Sequence, residues 1–430
     1  MVEYRVMETK RTFKYWQMRT LVCSMLGYAA FYLIRKNLSV ALPYIEADLG
    51  ISKADLGLFL TLHGLLYGLS RFVNGFVADR VNARIFMVTG LLLSAIMNFA
   101  FGCSSLAICL GVAWVLNGWT QGMGQPPCIR LLSHWIPPKE LATKMSVWNA
   151  SHSLGASAVV VLCGYLVAFG WRWCFFIPAA LAVGFAVFTW LAIRDTPSSV
   201  GLPELGETEV KTKTEVSGAE YRALLRKCVF CNPAIWFIAL ANFFVYLVRY
   251  GILDWGPTML KEYKGLTIAQ ASWLVAAFEV AGILGTIFAG WASDRFLAGK
   301  TPRTCLIGMG LTALAVGAFC LLPANAPLWL AAALLVLAGF FIYGPQALVG
   351  IAAVNLATRR TAAVACGLTG IWGYLSTIVS GWGIGFLAQH YGWHMVLYVL
   401  AAASVAGLVL FAGAWKEKAN NYEDEGEGER

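Results

Sequence analysis

Long apolar segments follow one another along this 430-residue chain, and they restrict its fold more than any other feature. Each is about 20 to 30 residues long, enough for a helix to cross roughly 30 Å of hydrocarbon at about 1.5 Å per residue. Backbone polar groups must be satisfied internally in lipid, and the alternating pattern of a barrel strand is absent, so helices are predicted. Twelve spans are predicted, at about 19–44, 54–79, 85–104, 107–136, 142–168, 172–193, 233–260, 268–296, 303–322, 327–355, 360–390 and 393–415.

The composition indicates an all-α integral membrane protein. Hydrophobic residues make up 59% of the chain and charged residues only 13%, whereas soluble domains contain about 25% charged residues. The net charge of +9 could suggest a nucleic-acid partner, but the basic residues lie mainly in the connections between spans, where they signal orientation. We therefore expect a lipid bilayer around the chain and no nucleic acid. The eleven cysteines lack the paired spacing of a metal site, so no metal is expected.

Lysine and arginine are divided unequally between the two sides of the predicted membrane. With the N-terminus inside, and with residues at the span ends counted with the adjoining connections, 23 of the 32 fall in the tails and the even-numbered connections, four fall on the other side and five lie within spans. This excess predicts that both the N- and the C-terminus are cytoplasmic.

The chain is predicted to contain two six-helix bundles, 1–193 and 233–415. The long polar connection 194–232 is a cytoplasmic linker between them, and the charged tail 416–430 is predicted to be disordered. A repeated motif supports the division: Gly75, Asp79 and Arg80 with Arg84 follow span 2, and Gly290, Asp294 and Arg295 follow span 8. The two aspartates are 215 residues apart, which indicates a duplication. Because both halves start on the same side of the membrane, the bundles are predicted to be parallel, pseudo-symmetric repeats.

The residues of this motif are interpreted as cytoplasmic gating and assembly elements rather than substrate contacts. A glycine permits two helices to approach closely, and the Asp and Arg side chains can cap and cross-link the cytoplasmic helix ends in one of two conformations.

Two arginines lie inside apolar spans at matching places in the two repeats. Arg35 ends the run Tyr32-Leu-Ile-Arg, and Arg249 ends the run Tyr246-Leu-Val-Arg 214 residues later. A guanidinium stays protonated at physiological pH, and placing one near the middle of a bilayer costs roughly 3 kcal/mol or more. Each offers a planar fork of donors, so the pair is predicted to bind an anion with several oxygens, such as phosphate.

A plainer alternative is that each arginine pairs permanently with a carboxylate, Asp254 or Glu279, to fix helix packing. Basic groups outnumber acidic ones at this depth, which favours an anion site. Lys36 follows Arg35 and would point about 100° away around a continuous helix. We therefore predict that Lys36, Asp254 and Glu279 form an ion-pair network at the interface of the two halves.

Tyrosines accompany both arginines at helical spacing. Tyr28 and Tyr32 are four residues apart, Tyr32 is three residues before Arg35, and Tyr246 is three residues before Arg249. A tyrosine presents an apolar ring and a hydroxyl donor, which suit the organic part and the phosphate of one ligand. Isolated tyrosines would be ordinary core residues, but beside the arginines these three are candidates for the site.

The Gly-x-x-x-Asp-Arg pattern after spans 2 and 8 of a twelve-span chain resembles the major facilitator superfamily. Longer motifs resemble its organophosphate:phosphate antiporter family over nearly the whole chain, most of all the glycerol-3-phosphate branch, then the hexose-phosphate transporters and sensors. These motifs are Gly27-Tyr28, Tyr32 to Asn37, Gln121 to Gly124, Pro126-Pro127-Cys128, Trp148-Asn149 with His152, Phe244 to Trp255, Tyr343-Gly344-Pro345, Leu368 to Gly370 and Gly373-Tyr374.

The resemblance adds residues to the candidate substrate-binding set. It implies that Tyr67, His152, Tyr343 and Tyr374 face the substrate; without it, His152 among small neighbours would be interpreted as a packing residue. Arg71 stands where the family has a lysine, so the positive charge is kept. The other histidines have no comparable context and are not selected: His63, His134, His390 and His394.

The resemblance implies secondary antiport by alternating access, with inorganic phosphate exchanged for an organophosphate, first of all glycerol-3-phosphate. The alternatives are hexose-6-phosphate:phosphate exchange and a transporter-like membrane sensor of hexose phosphate with a partner kinase. No Walker-type loop or Ser/His/Asp set stands out, so neither an enzyme nor a cofactor is expected. The expected protein is a monomer in the bacterial cytoplasmic (inner) membrane.

Overall fold

The computed structural model describes residues 2–78, 80–203, 218–297, 300–323, 326–357 and 361–415. Over these residues the regular structure is helical and contains no strand. The α-helices are α1 (Val2–Leu33), α2 (Leu38–Leu49), α3 (Lys53–Ala78), α4 (Ala83–Cys103), α5 (Ala107–Gln121), α6 (Gln125–Trp135), α7 (Pro138–Leu166), α8 (Trp173–Ala192), α9 (Gly218–Leu225), α10 (Pro233–Lys264), α11 (Ile268–Phe296), α12 (Thr301–Leu321), α13 (Leu328–Leu356), α14 (Ala362–Leu375) and α15 (Ile384–Gly413).

Local sequence signals begin and end several of these helices. Thr267 and Gln270 form a capping box at the start of α11, in which each side chain accepts from the other residue's backbone N–H. Asn232 caps the start of α10 by accepting from the Ala234 N–H at 3.0 Å. The same helix is terminated by the next residue, Gly265, whose φ of 65° lies in the left-handed region that favours glycine.

The described helices confirm an all-α membrane fold. Nine helical stretches of the described residues are long and apolar enough to cross a membrane. One of them, Val364–Gly413, has 50 residues, about twice what one crossing requires. Gly392 has a φ of 77° and interrupts α15, near the end of predicted span 11. The count of twelve spans and the side of the termini stay predictions.

The first predicted span is divided at its arginine. Helix α1 ends at Leu33 and α2 begins at Leu38, so Arg35 and Lys36 lie in a turn. The prediction of a continuous helix at this point is therefore wrong, and with it the 100° angle between the two side chains. A short break at residues 122–124 also divides the fourth predicted span, between α5 and α6.

Three buried asparagines stabilise the turn that carries Arg35. The Ile34 carbonyl accepts from the side-chain amides of Asn98 on α4 and Asn117 on α5, both at 2.9 Å. Asn37 donates to the Asn98 side-chain oxygen at 2.8 Å and to the Cys174 carbonyl at 2.9 Å. A helix break inside a membrane leaves carbonyls without helical partners, and these amides satisfy them.

Contacts divide the chain into two compact units. Unit 1 comprises Met1–Leu49 and Leu62–Lys213, and unit 2 comprises Gly50–Thr61 and Thr214–Arg430. Helix α3 thus begins in unit 2 and continues in unit 1. Residues 204–217 of the predicted linker and the whole predicted tail 416–430 lie outside the described residues. The predicted bundle boundaries stay predictions.

Glycines permit close approach of helices inside each unit. In unit 1, a Cβ on Gly155 of α7 would meet the backbone of Ala29 on α1. In unit 2, a Cβ on Gly339 of α13 would meet the backbone of Phe278 on α11. Small residues at such crossings let backbones pack directly, which is how helices associate without a hydrophobic driving force between them.

Candidate functional site

In unit 1, Arg35 lies among tyrosines. Its side chain is buried, with the residue 7% exposed, and its Cζ atom lies 3.8 Å from the centroid of the Tyr67 ring on α3 and 5.3 Å from that of Tyr32 on α1. Cation–π contact over the faces of aromatic rings partly compensates the loss of water around a guanidinium without neutralising it. The guanidinium itself stays protonated at physiological pH.

Other predicted residues of unit 1 surround this arginine. The ring centroids of Tyr28 and Tyr32 are 5.6 Å apart, and those of Tyr32 and His152 are 5.5 Å apart. Tyr28 also stacks on Trp148 of α7 at 4.6 Å. Half-buried Arg71 on α3 is close enough to act electrostatically on Tyr28 and Tyr67. The structure thus gathers one group of predicted residues in unit 1: Tyr28, Tyr32, Arg35, Tyr67, Arg71 and His152.

His152 has a defined tautomer in its neutral form. Its Nδ1 hydrogen-bonds the Asn149 carbonyl one helical turn earlier, and a carbonyl only accepts, so Nδ1 carries a proton. Nε2 lies 3.3 Å from the hydroxyl of Ser153. The ring is buried beside Tyr32, so Nε2 is the nitrogen that can exchange a hydrogen bond with a ligand.

In unit 2, Arg249 has a carboxylate partner. Its Nη2 lies 3.5 Å from Oε1 of Glu279 on α11, and its Cζ lies 4.5 Å from the centroid of the Tyr343 ring on α13. The Tyr343 hydroxyl donates to the same carboxylate oxygen. Arg249 is 3% exposed and Glu279 is fully buried. Arg249 is therefore paired with a carboxylate in this structure, as the plainer alternative predicts.

Two further predicted tyrosines of unit 2 lie near Arg249: Tyr246 is on the same helix, α10, and Tyr374 is on α14. The Tyr246 ring is 6.2 Å from that of Tyr374 on α14 and 5.3 Å from that of Tyr250. Unlike Arg35, Arg249 lies in a continuous helix, α10, so its predicted one-sided spacing with Tyr246 holds. Arg249, Glu279 and Tyr343 form one contact group, and Tyr246 and Tyr374 lie next to it.

Lys36 and Asp254 are the other two members of the predicted ion-pair network. Lys36 is buried, and Asp254 is half-buried on α10. Within unit 2, Glu279 contacts Arg249 and Tyr343. The network of Lys36, Asp254 and Glu279 stays a prediction.

The first repeated Asp-Arg motif is described only in part, because Asp79 lies outside the described residues. Arg84 lies 4.5 Å over the Trp190 ring of α8. Arg130, which the motif analysis missed, donates to the Ala78 carbonyl at 2.9 Å and pairs with Asp195 at 3.4 Å. These contacts tie the end of α3 to α6 and to the chain after α8.

The glycines of the repeated motifs do not support close helix approach in this conformation. A Cβ built on Gly75 or Gly290 meets no atom within 4 Å among the described residues. Arg80, Asp294 and Arg295 are exposed. In this conformation the tight crossings lie deeper in the helices, and the gating role of these glycines stays a prediction.

A family model described as Major Facilitator Superfamily matches residues 24–271 and 238–429, which together span most of the chain. The chain belongs to the Major Facilitator Superfamily. Its fold agrees with this: a bacterial homolog of the human lysosomal transporter Spinster, solved inward-facing and unoccupied, superposes with a TM-score of 0.75 over 93% of this chain and 95% of that one. At 19% identity that likeness concerns the fold alone.

Curated relatives of this facilitator cover it nearly end to end. The glycerol-3-phosphate transporter of Bacillus subtilis (strain 168) is 38% identical over 94% of this chain and 93% of the relative. The probable hexose phosphate transport protein of Chlamydia pneumoniae is 35% identical over 96% and 94%. The membrane sensor protein UhpC of Escherichia coli (strain K12) is 34% identical over 94% and 93%.

These relatives confirm the resemblance to the organophosphate:phosphate antiporter family. They are transporters and a sensor rather than enzymes, and they come from bacteria. The family and the apolar helices together indicate a multi-pass protein of the bacterial inner membrane.

Proposed function

We propose that this protein is a secondary antiporter that exchanges inorganic phosphate for an organophosphate by alternating access. The organophosphate that we propose is glycerol-3-phosphate. The observation that carries the proposal is the pair of buried guanidiniums at equivalent sequence positions, Arg35 and Arg249, each flanked by tyrosines. The 38% identity to a glycerol-3-phosphate transporter supports the choice of substrate.

Charge is the first step of the argument. Four of the candidate residues are basic (Arg35, Lys36, Arg71 and Arg249) and two are acidic (Asp254 and Glu279). A doubly charged phosphate would nearly neutralise the excess, and each guanidinium fork matches two phosphate oxygens. A singly charged ligand would leave part of the positive charge uncompensated in a low-dielectric environment.

Competition for Arg249 is the second step. Glu279 already compensates this guanidinium, so a phosphate that binds Arg249 must weaken or replace that ion pair. Arg35 contacts the rings of Tyr32 and Tyr67. We therefore propose that phosphate binds both guanidiniums and displaces Glu279 from Arg249, with the hydroxyls of Tyr32 and Tyr246 and a protonated His152 as further donors.

Obligate exchange follows from the same charges. Without a bound anion, closure would bring together buried groups with an excess of positive charge, which raises the barrier between the inward- and outward-open states. With phosphate or an organophosphate bound, the barrier falls. The Lys36–Asp254–Glu279 network and the cytoplasmic Asp-Arg motifs are proposed to set the rate of this transition rather than the affinity.

The test is radiolabelled phosphate exchange in vesicles reconstituted with the purified protein. Uptake is expected to require phosphate on the trans side and to be inhibited more strongly by glycerol-3-phosphate than by glucose-6-phosphate or phosphoglycerates. Comparable net uptake into phosphate-free vesicles would rule out obligate exchange. Stronger inhibition by glucose-6-phosphate would instead favour hexose-6-phosphate:phosphate antiport. The similarity to the probable hexose phosphate transport protein of Chlamydia pneumoniae supports this alternative.

A sensor of hexose phosphate is the second candidate, because the chain is 34% identical to a membrane sensor protein. A sensor would bind sugar phosphate in the same vesicles but exchange it slowly. Binding measured by thermal shift together with negligible exchange would favour that function.

A further inference from the structure

His63 is a buried histidine that the sequence analysis did not select. It lies on α3, is 5% exposed, and stacks on Trp114 of α5 with ring centroids 5.1 Å apart. Its Nδ1 lies 3.0 Å from the Trp114 carbonyl oxygen. Because a carbonyl only accepts hydrogen bonds, Nδ1 carries the proton, and Nε2 of the neutral ring is an acceptor that points away from that carbonyl.

The Nε2 atom has no hydrogen-bond partner among the residues that the structure describes. Buried polar atoms in proteins are nearly always paired, and an unpaired one calls for an explanation, such as a ligand that pairs with it. Arg35 and Lys36 are close enough to act electrostatically on the ring. A third positive charge beside two buried cations would be costly, so the ring stays neutral and Nε2 stays an acceptor.

His63 continues a stripe of polar side chains along α3. Tyr67 and Arg71 follow it at four and eight residues, so each step moves about 6 Å along the helix and turns about 40° around it. Tyr67 is the ring that lies 3.8 Å under Arg35. His63 thus lies one helical turn along α3 from Tyr67, the residue that contacts Arg35. This distance of about 6 Å is comparable with that between the phosphate group and the distal hydroxyl of a small organophosphate.

We propose that Nε2 of His63 accepts a hydrogen bond from a hydroxyl of the organic part of the substrate, and so favours hydroxylated organophosphates over inorganic phosphate. The inference rests on the proposed function, since it assigns a specificity contact to the same site. The guanidiniums recognise what phosphate and organophosphate share, whereas His63 recognises what only the organophosphate has.

The wild-type protein provides the first test. Glycerol-3-phosphate and n-propyl phosphate have the same number of carbons and the same phosphate group, but only the former carries hydroxyls. Both are used to compete with radiolabelled phosphate exchange in reconstituted vesicles. We expect glycerol-3-phosphate to inhibit roughly tenfold more strongly, the effect of one buried hydrogen bond that would otherwise be lost. Equal inhibition by the two compounds would overturn the proposal without any variant.

Two variants of His63 separate hydrogen bonding from packing. His63→Phe keeps an aromatic ring to stack on Trp114 but has no acceptor, and His63→Gln can place its carboxamide oxygen near the position of Nε2 but cannot stack. We expect the preference for glycerol-3-phosphate over propyl phosphate to fall to about twofold or less in His63→Phe and to persist in His63→Gln. This dependence of the preference on the acceptor at position 63 would show that the residue and the substrate hydroxyl interact. A role in packing gives the opposite order.

Phosphate self-exchange is the internal reference in each variant. The preference of each variant is expressed relative to its own phosphate self-exchange, so a change in overall transport rate does not alter the comparison. If the wild-type protein exchanges no phosphate, the proposed function fails and this inference with it. If phosphate exchange is intact and His63→Phe keeps the full preference, only the role of His63 is overturned. For a hexose-phosphate substrate, glucose-6-phosphate and n-hexyl phosphate are the matched pair, with the same expected outcomes.

Discussion

The ring of Tyr343 fills the space that a side chain on Gly282 would need. Gly282 comes 215 residues after Tyr67, the same offset that separates Asp79 and Asp294 of the repeated motif. At equivalent positions, therefore, unit 1 has the tyrosine that stacks on Arg35, and unit 2 has a glycine against which Tyr343 packs. The two arginines receive the same kind of aromatic contact from different helices, α3 in one repeat and α13 in the other.

Adding one methyl group at Gly282 is expected to displace Tyr343. The Cβ of Gly282→Ala would overlap the ring, so Tyr343 must move away from both Arg249 and Glu279, at a cost of about 1–3 kcal/mol in stability. Weaker phosphate binding and slower exchange should accompany this loss in a thermal-shift titration and a vesicle assay. The control is Gly317→Ala on α12, where a Cβ meets no atom within 4 Å among the described residues. Equal behaviour of the two variants would mean that Tyr343 does not support the site.

Replacing either buried arginine by lysine should weaken phosphate binding. Arg35→Lys and Arg249→Lys keep the positive charge but lose the planar fork of donors, and we expect affinity to fall roughly 10- to 100-fold. Arg172→Lys is the control, because its ion pair with Asp48 at 3.2 Å is partly exposed and surface pairs contribute little. Phosphate titrations of thermal stability measure all three. Unchanged affinity in both lysine variants would show that charge alone, and not geometry, binds the anion.

Removing the charge of Glu279 should make the protein depend on phosphate for stability. Glu279→Gln removes the carboxylate charge that lies 3.5 Å from the Arg249 guanidinium, a cost of about 3 kcal/mol. Phosphate should restore the loss, so its stabilising effect on Tm should exceed that in wild type, while exchange slows because the anion leaves less readily. Glu262→Gln, at a half-exposed ion pair with Lys53, should change neither. If phosphate no longer stabilises Glu279→Gln, the carboxylate has a structural role only.

Asp254→Asn separates gating from binding. If Asp254 belongs to the ion-pair network that sets the rate of alternating access, the variant should exchange phosphate more slowly and bind it within a few-fold of wild type. Exchange rates in vesicles and thermal-shift titrations on the same preparation provide the two numbers. A total loss of binding would refute the assignment.

The asparagines that hold the Arg35 turn should matter for both stability and affinity. Asn98→Ala removes one donor to the Ile34 carbonyl at 2.9 Å and is expected to cost about 1–3 kcal/mol and to weaken phosphate binding by releasing the turn. Asn232→Ala removes the cap of α10 and should cost about 1 kcal/mol without changing affinity. Equal affinity in both variants would indicate that the turn does not position Arg35.

Much of the candidate site could be predicted from the sequence, because its signals are local. An arginine inside an apolar span and a tyrosine three residues before it are visible without a structure, and the 215-residue repeat relates the halves. The histidines show the limit. His152 was found through a family motif, whereas His63 was passed over, because its bond to the Trp114 carbonyl joins residues 51 positions apart.

Arg35 and Arg249 show what the sequence determines and what only the tertiary structure determines. Hydropathy alone established an all-α membrane protein, because lipid leaves the backbone no alternative to internal hydrogen bonds. The spacing of charges predicted two repeats with an arginine inside an apolar span of each. Only the tertiary structure decided that Arg35 lies in a turn held by asparagines of α4 and α5, while Arg249 lies in a continuous helix beside Glu279. Such partners come from distant helices, and packing, not sequence proximity, brings them together.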